Sequence, residues 1–134
     1  MSNNTLILTV GLPRSGKSTW ATGRALPIVN PDSIRLALHG KAFIGLAEPF
    51  VWAIAKVMVR ALFLAGHKTI ILDATNATQK RRDEWKSSQW TREYRVFDTP
   101  KAECINRAIA DNREDLVPVI ERMAEQYEPI QEEK

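Results

Sequence analysis

The sequence predicts an α/β domain built on a small parallel sheet of about four strands. Three observations lead there. Short apolar, β-branched runs alternate with segments of helical periodicity, a glycine-rich turn joins the first run to the first helix, and polar residues gather just after each run. Alternation of this kind implies βαβ units, right-handed crossovers and a parallel sheet.

The elements follow in chain order. Thr5–Val10 ("TLILTV") is a strand, and helix follows from Lys17 to Leu26. "LPIVN" is a short second strand, with helix from Pro31 to Leu38. "GKAFIGLAEP" reads as a loop or short helical turn before a long helix, Phe50–Ala65, with a wide apolar face. "KTIILDAT" is a third, buried strand preceded by the breaker Gly66, and a polar, basic helix spans Ala77 to about Trp90. "REYRVFD" is the fourth strand, and Pro100 starts a helix to about Asp111. The polar break "NREDL" precedes a last helix, Val117–Tyr127, and the tail "EPIQEEK" is expected to fray.

The glycine-rich turn has the spacing G-x-x-x-x-G-K-S, with Gly11, Gly16, Lys17 and Ser18 at its fixed positions. In that pattern backbone N–H groups cradle a polyphosphate, the lysine reaches the β- and γ-phosphates, and the hydroxyl binds Mg²⁺. Gly11, Arg14, Ser15, Gly16, Lys17, Ser18 and Thr19 are therefore the expected nucleotide contacts. The direction of the Arg14 side chain is open.

Ligands of such sheets bind beyond the carboxyl ends of the strands, and three of those ends carry an aspartate: Asp32, Asp73 and Asp98. Asn30 suits the N-cap and Pro31 the first helical position. That would free Asp32, in the first turn, to accept the proton of an attacking hydroxyl as a general base. A purely capping Asp32 is the alternative. Arg35, three residues on, shares its face and is either a grip for a substrate phosphate or a surface arginine. Asp73, at the tip of the third strand, suits Mg²⁺ orientation through water, and Thr75, Asn76 and Thr78 are left to cap the next helix. Asp98 reads as a turn residue without chemistry. Lys80, Arg81 and Arg82 read as a solvated helix face, with contact to an anionic substrate as the alternative, the tryptophans as packing, with Trp52 left open near the presumed cleft, and His39 and His67 as loop residues.

Composition bounds the rest. A chain of 134 residues with 44% hydrophobic and 26% charged residues has room for one domain, 1–134. The longest apolar stretch is interrupted by Lys56 and Arg60, against a membrane span. No basic-then-apolar leader is visible, and the single Cys104 suits a reducing cytoplasm. A net charge of +3 permits a polyanionic partner without requiring one.

"GLPRSGKSTWA", "NPDSIR", the "TN" after the third strand, "VFDTPKAECINR" and "VPVIERM" together resemble the kinase domain of bacteriophage-type polynucleotide kinases, and more broadly the small P-loop kinases of hydroxyl groups. The match runs in order through most of the chain. It implies a three-layer α/β/α P-loop kinase with a helical lid, ATP and Mg²⁺ as cofactors, and the 5′-hydroxyl of a nucleic acid as acceptor. By that resemblance Lys17 and Ser18 are the phosphate-loop pair, Asp32 the general base, Arg35 the substrate-phosphate arginine, and Arg107 and Arg113 the lid arginines. Without it, Arg107 and Arg113 read as surface charge.

The chain also departs from that pattern. Asp73 stands one place earlier than the family's acidic residue, the two lid arginines are six apart, and the apolar segment His39–Trp52 has no recognisable counterpart. No phosphatase segment falls within these residues. A kinase of another hydroxyl (small metabolite, nucleotide or hydroxymethylated base) is the alternative, and a nucleotide-binding ATPase a further one. Oligomeric state cannot be read from the sequence.

Overall fold

In a computed structural model that describes residues 3–40 and 43–130, the apolar run Thr5–Val10 becomes β1, inside a four-stranded sheet ordered β2–β3–β1–β4. β2 is Ile28–Val29, β3 Thr69–Leu72 and β4 Thr91–Val96, and every pairing is parallel. The predicted α/β class is the observed one. β1 pairs Thr5 with Thr69 on one side and with Thr91 on the other. Leu6, Leu8, Thr9 and Val10 are wholly buried, as expected of a strand flanked by two others. β4 is an edge, with Glu93 and Arg95 turned outward, and such charges discourage pairing with another chain.

Among the described residues six α-helices connect and cover the strands: α1 (Lys17–Thr22), α2 (Pro31–His39), α3 (Glu48–Leu64), α4 (Gln79–Asp83), α5 (Lys101–Ala110) and α6 (Val117–Gln126). Val51, Ala55 and Val59 of α3 pack on Leu6, Leu8, Ile70 and Leu72 of the sheet, joined by Trp85 and Trp90. A smaller cluster of Cys104, Ala108 and Ile120 joins α5 to α6. α3 is buried along that one stripe only. Its other side leaves Phe50, Val57 and Leu64 exposed, so only part of the wide apolar face expected of this helix is covered. None of the helices among the described residues is long and apolar enough to cross a membrane.

Several boundaries differ from expectation. α1 ends at Thr22 instead of Leu26, because Gly23 closes the helix and Ala25, at φ 57°, turns the chain back into β2. α4 spans Gln79–Asp83, not Ala77–Trp90. Thr78 caps it by accepting from Arg81 N at 3.2 Å. The helix then breaks so that Trp85 and Trp90 both turn inward, with Trp90 Nε1 donating to the Trp85 carbonyl at 2.8 Å.

Arg82 overturns the expectation of a wholly solvated basic face. It is fully buried, donating to the carbonyls of Asn76 and Glu128 at 2.8 Å each. The tail at Glu128 is correspondingly held and not frayed, with Glu128 N donating to Ala77 O at 2.8 Å. The remainder of the predicted frayed tail, 131–134, lies outside the described residues, as do positions 1–2 and Lys41 and Ala42 of the predicted loop.

Candidate active site

The turn between β1 and α1 is shaped by two glycines with different duties. A Cβ on Gly11 would come within 2.8 Å of Ser15 Oγ and 3.0 Å of Phe97 Cβ, so a larger residue would force both neighbours to shift. Gly16 has φ 106° and Arg14 φ 68°, both left-handed. Turns of this kind point successive N–H groups into one concavity, which favours anions. Ser15 is buried, and its carbonyl accepts from Thr99 Oγ1 at 2.9 Å, which ties the loop to the segment after β4. Ser18 and Thr19 are exposed at the mouth.

Lys17 is nearly buried and curls across the loop to donate to Leu12 O at 2.6 Å. Burial pushes its pKa down from 10.5 to about 8, against the opposing attraction of Asp73, Cys104 and Asp32. A bound polyphosphate would restore the charge. At pH 8.5, nucleotide binding is therefore expected to take up most of a proton, and affinity should fall as pH rises beyond 8. Calorimetry in two buffers of different ionisation enthalpy measures the uptake. Affinity flat from pH 7 to 9 would place Lys17 off the phosphates.

Ser18 Oγ donates to Asp73 Oδ2 at 2.8 Å, and Asp73 is buried. Thr9 Oγ1 also reaches Asp73, at 3.4 Å. A hydroxyl and a carboxylate side by side form a hard-oxygen pair that suits Mg²⁺. Among the described residues no cluster of three or more His, Cys, Asp or Glu could hold a metal. An ion here would be completed by phosphate oxygens and water, as Mg²⁺ ordinarily is.

Asn30 joins this pair to α2. Its Oδ1 caps the helix by accepting from Asp32 N at 2.8 Å, while its Nδ2 donates to Asp73 Oδ2 at 3.3 Å. Asp32 thus lies in the first turn with its side chain 81% exposed. Arg35 meets Asp32 Oδ1 at 2.6 Å. Its Nε and Nη2 are gripped in a fork by Glu48, at 2.8 and 2.7 Å. That contact raises the Arg35 pKa and lowers that of Glu48. Sequence reasoning missed Glu48, since its partner is thirteen residues away across a loop; only its place at the start of α3 was a signal. Trp52 lies beside the same arginine, its ring centroid 5.9 Å from the guanidinium carbon.

The two lid arginines part company. Arg107, on α5, donates to Arg14 O at 3.1 Å, and Arg14 forms an ion pair at 2.9 Å with Asp111, the residue that caps α5, so the helix and its C-cap each touch the loop. Arg113 instead points both Nε and Nη2 at Asp115, at 3.0 and 3.1 Å. Asp98 joins none of these groups.

The sequence profile of the AAA domain family matches residues 6–130. The chain belongs to the AAA domain family. Solved structures similar to this AAA domain include a chain of the Pnkp1/Rnl/Hen1 complex, 29% identical over 78% of this chain and 38% of its own length, with TM-score 0.70. A chain of the Pnkp1/Rnl/Hen1 RNA repair complex is 20% identical over 96% of this chain and 47% of its own, with TM-score 0.71. A gluconokinase from Sinorhizobium meliloti 1021 is 15% identical over 96% and 78%, with TM-score 0.62. The AAA domain therefore spans less than half the length of the Pnkp1-complex chains it matches. Its architecture is that of the P-loop kinases.

Proposed function

We propose that the protein transfers the γ-phosphate of ATP, with Mg²⁺, to a hydroxyl group, and that the acceptor is the 5′-hydroxyl of a polynucleotide. The observation that carries the kinase reading is Asn30, which bonds both the backbone of Asp32 and the carboxylate of Asp73. It ties an exposed carboxylate to the Ser18–Asp73 pair beside the phosphate loop.

In this reading Lys17 holds the β- and γ-phosphates and Ser18 with Asp73 would hold Mg²⁺, which neutralises charge on the phosphate oxygens when bound. Asp32 accepts the proton as the hydroxyl oxygen bonds to phosphorus and the bond to the leaving ADP oxygen breaks. Arg107 is placed at the loop to stabilise the transferring group, and Arg113 would have to leave Asp115 to join it. Arg35, in the grip of Glu48, first of all aims Asp32. Its outer N–H groups are left for a substrate phosphate. Likeness to chains from Pnkp1 complexes and a sequence pI of about 9.2 support the nucleic-acid acceptor.

Incubation with labelled ATP and a panel of acceptors tests the proposal: 5′-hydroxyl oligonucleotides of DNA and RNA, gluconate, shikimate and water alone. Label is expected on the oligonucleotides, with a KM that rises with salt as counterions compete for the phosphates. Label on a small metabolite with salt-independent KM would transfer the assignment to that acceptor, and acceptor-independent ATP turnover would make the protein an ATPase. Arg35→Ala separates the two duties of that residue. Loss of aim lowers kcat for every acceptor, and loss of a phosphate grip raises KM for oligonucleotides alone.

A further inference from the structure

α3 sets Trp52, Lys56 and Arg60 four residues apart, in one row along the helix. At the Trp52 end, Arg81 lies 4.0 Å and Arg35 5.9 Å from the ring centroid. Trp52 meets Trp85 edge-on at 6.4 Å, and Lys56 Nζ stands 5.7 Å from the Trp85 ring. Further along, a cavity of about 330 Å³ opens between α3 and the start of β4, lined by Lys56, Arg60, Lys86, Ser87 and Ser88, with Glu84 as its acid.

The charges there do not cancel. Glu84 is engaged with Arg81 at 2.7 Å. Lys86 reaches Asp83 only at 3.6 Å. Neither Lys56 nor Arg60 has an ion-pair partner among the described residues, and both are exposed. With Gln89 and Trp90 completing it, the lining sets three cations and two hydroxyls against one occupied carboxylate, a net positive charge. Phosphate oxygens satisfy such a lining, whereas a neutral or cationic ligand would leave it uncompensated.

We propose that this row and cavity form a phosphodiester-binding track, which holds the body of a polynucleotide acceptor whose 5′ end lies at Asp32. The proposal rests on the nucleic-acid reading above and assigns a second contact region to the same substrate. Arg35 joins the two regions, bonded to Asp32 and lying 5.9 Å from the Trp52 ring centroid. From Glu48, which holds Arg35, to Arg60 the helix rises about 18 Å at 1.5 Å per residue. A strand stacked at about 3.4 Å per nucleotide covers that distance in about five nucleotides. Acceptors shorter than this reach Asp32 without reaching the cavity.

The test compares 5′-hydroxyl oligonucleotides of three and twelve nucleotides as acceptors for the full chain and for Lys56→Glu/Arg60→Glu. A Lys56→Gln/Arg60→Gln variant serves as a milder second change, and thermal melts check folding. In the unaltered protein, KM for the longer acceptor is expected about tenfold lower. Charge reversal should erase that advantage and leave kcat/KM for the short acceptor within about twofold. Equal KM for both lengths, or an advantage that survives charge reversal, overturns the track. If only a small metabolite is phosphorylated, the acceptor assignment has failed. Fluorescence anisotropy with a labelled twelve-nucleotide strand at low salt then decides the track separately: binding lost on charge reversal supports it, and no binding overturns it.

Discussion

Replacing Lys17 with methionine is expected to reduce phosphoryl transfer about 10³-fold, the scale for losing a preorganised charge at a developing negative centre. The melting temperature should rise, or at least not fall, at pH 7. Both halves follow from one side chain. Lys17 is 8% exposed, and burial depresses its pKa to about 8. Its Nζ is satisfied by the Leu12 carbonyl, and no carboxylate contacts it directly. A base with a folded pKa below its unfolded value destabilises the fold at every pH under the folded value. Between about 8 and 10.5 the unfolded chain binds more protons than the folded one, so stability should increase with pH across that window. Methionine removes the buried charge and keeps the length. Steady-state kinetics with a thermal melt at pH 7 and 9.5 measures both. A variant that is equally active, or one that melts well below the unaltered protein, contradicts this account of the loop.

Asp32→Asn is the second large expected effect, a loss of about 10²–10⁴-fold in kcat with little change in ATP affinity, the range for a missing general base. Stability should barely move. Asn30, not Asp32, is the capping side chain, and an ion pair with one partner so exposed contributes about 0–1 kcal/mol. Asparagine can still accept from Arg35, so the geometry around Glu48 persists. Single-turnover kinetics together with equilibrium nucleotide binding distinguishes the outcomes. An unchanged kcat with a falling melting temperature would return Asp32 to a structural role.

Much of this site was legible because its parts are local in sequence. The spacing from Gly11 to Ser18, the Asn30–Pro31 cap and the strand-ending Asp73 each lie within a few residues of the element that positions them. Periodicity located the sheet for a similar reason: β1 and β3 are short apolar runs between breakers. What escaped depends on contacts between distant segments. Glu48 is meaningful only once α3 packs beside α2. Arg82 was hidden in a basic run, although successive helical residues point about 100° apart and a helix laid on a core must turn one of them inward. Arg113 matched the lid pattern, yet the structure gives its guanidinium to Asp115, two residues along.

The buried Arg82 also bears on where this polypeptide can be cut. Its guanidinium spans the turn at Asn76 and the backbone at Glu128–Pro129, segments just over fifty positions apart. A shortened version that stopped with the last turn of α6 would retain every described helix and strand and the segments that follow all four strands. It would nevertheless strip the guanidinium of two carbonyls, at about 1–3 kcal/mol for each buried donor left without an acceptor. Nothing regular in the secondary structure marks this limit. The backbone held by Arg82 therefore extends past α6 to Pro129, and a truncation before that point is expected to lower the melting temperature.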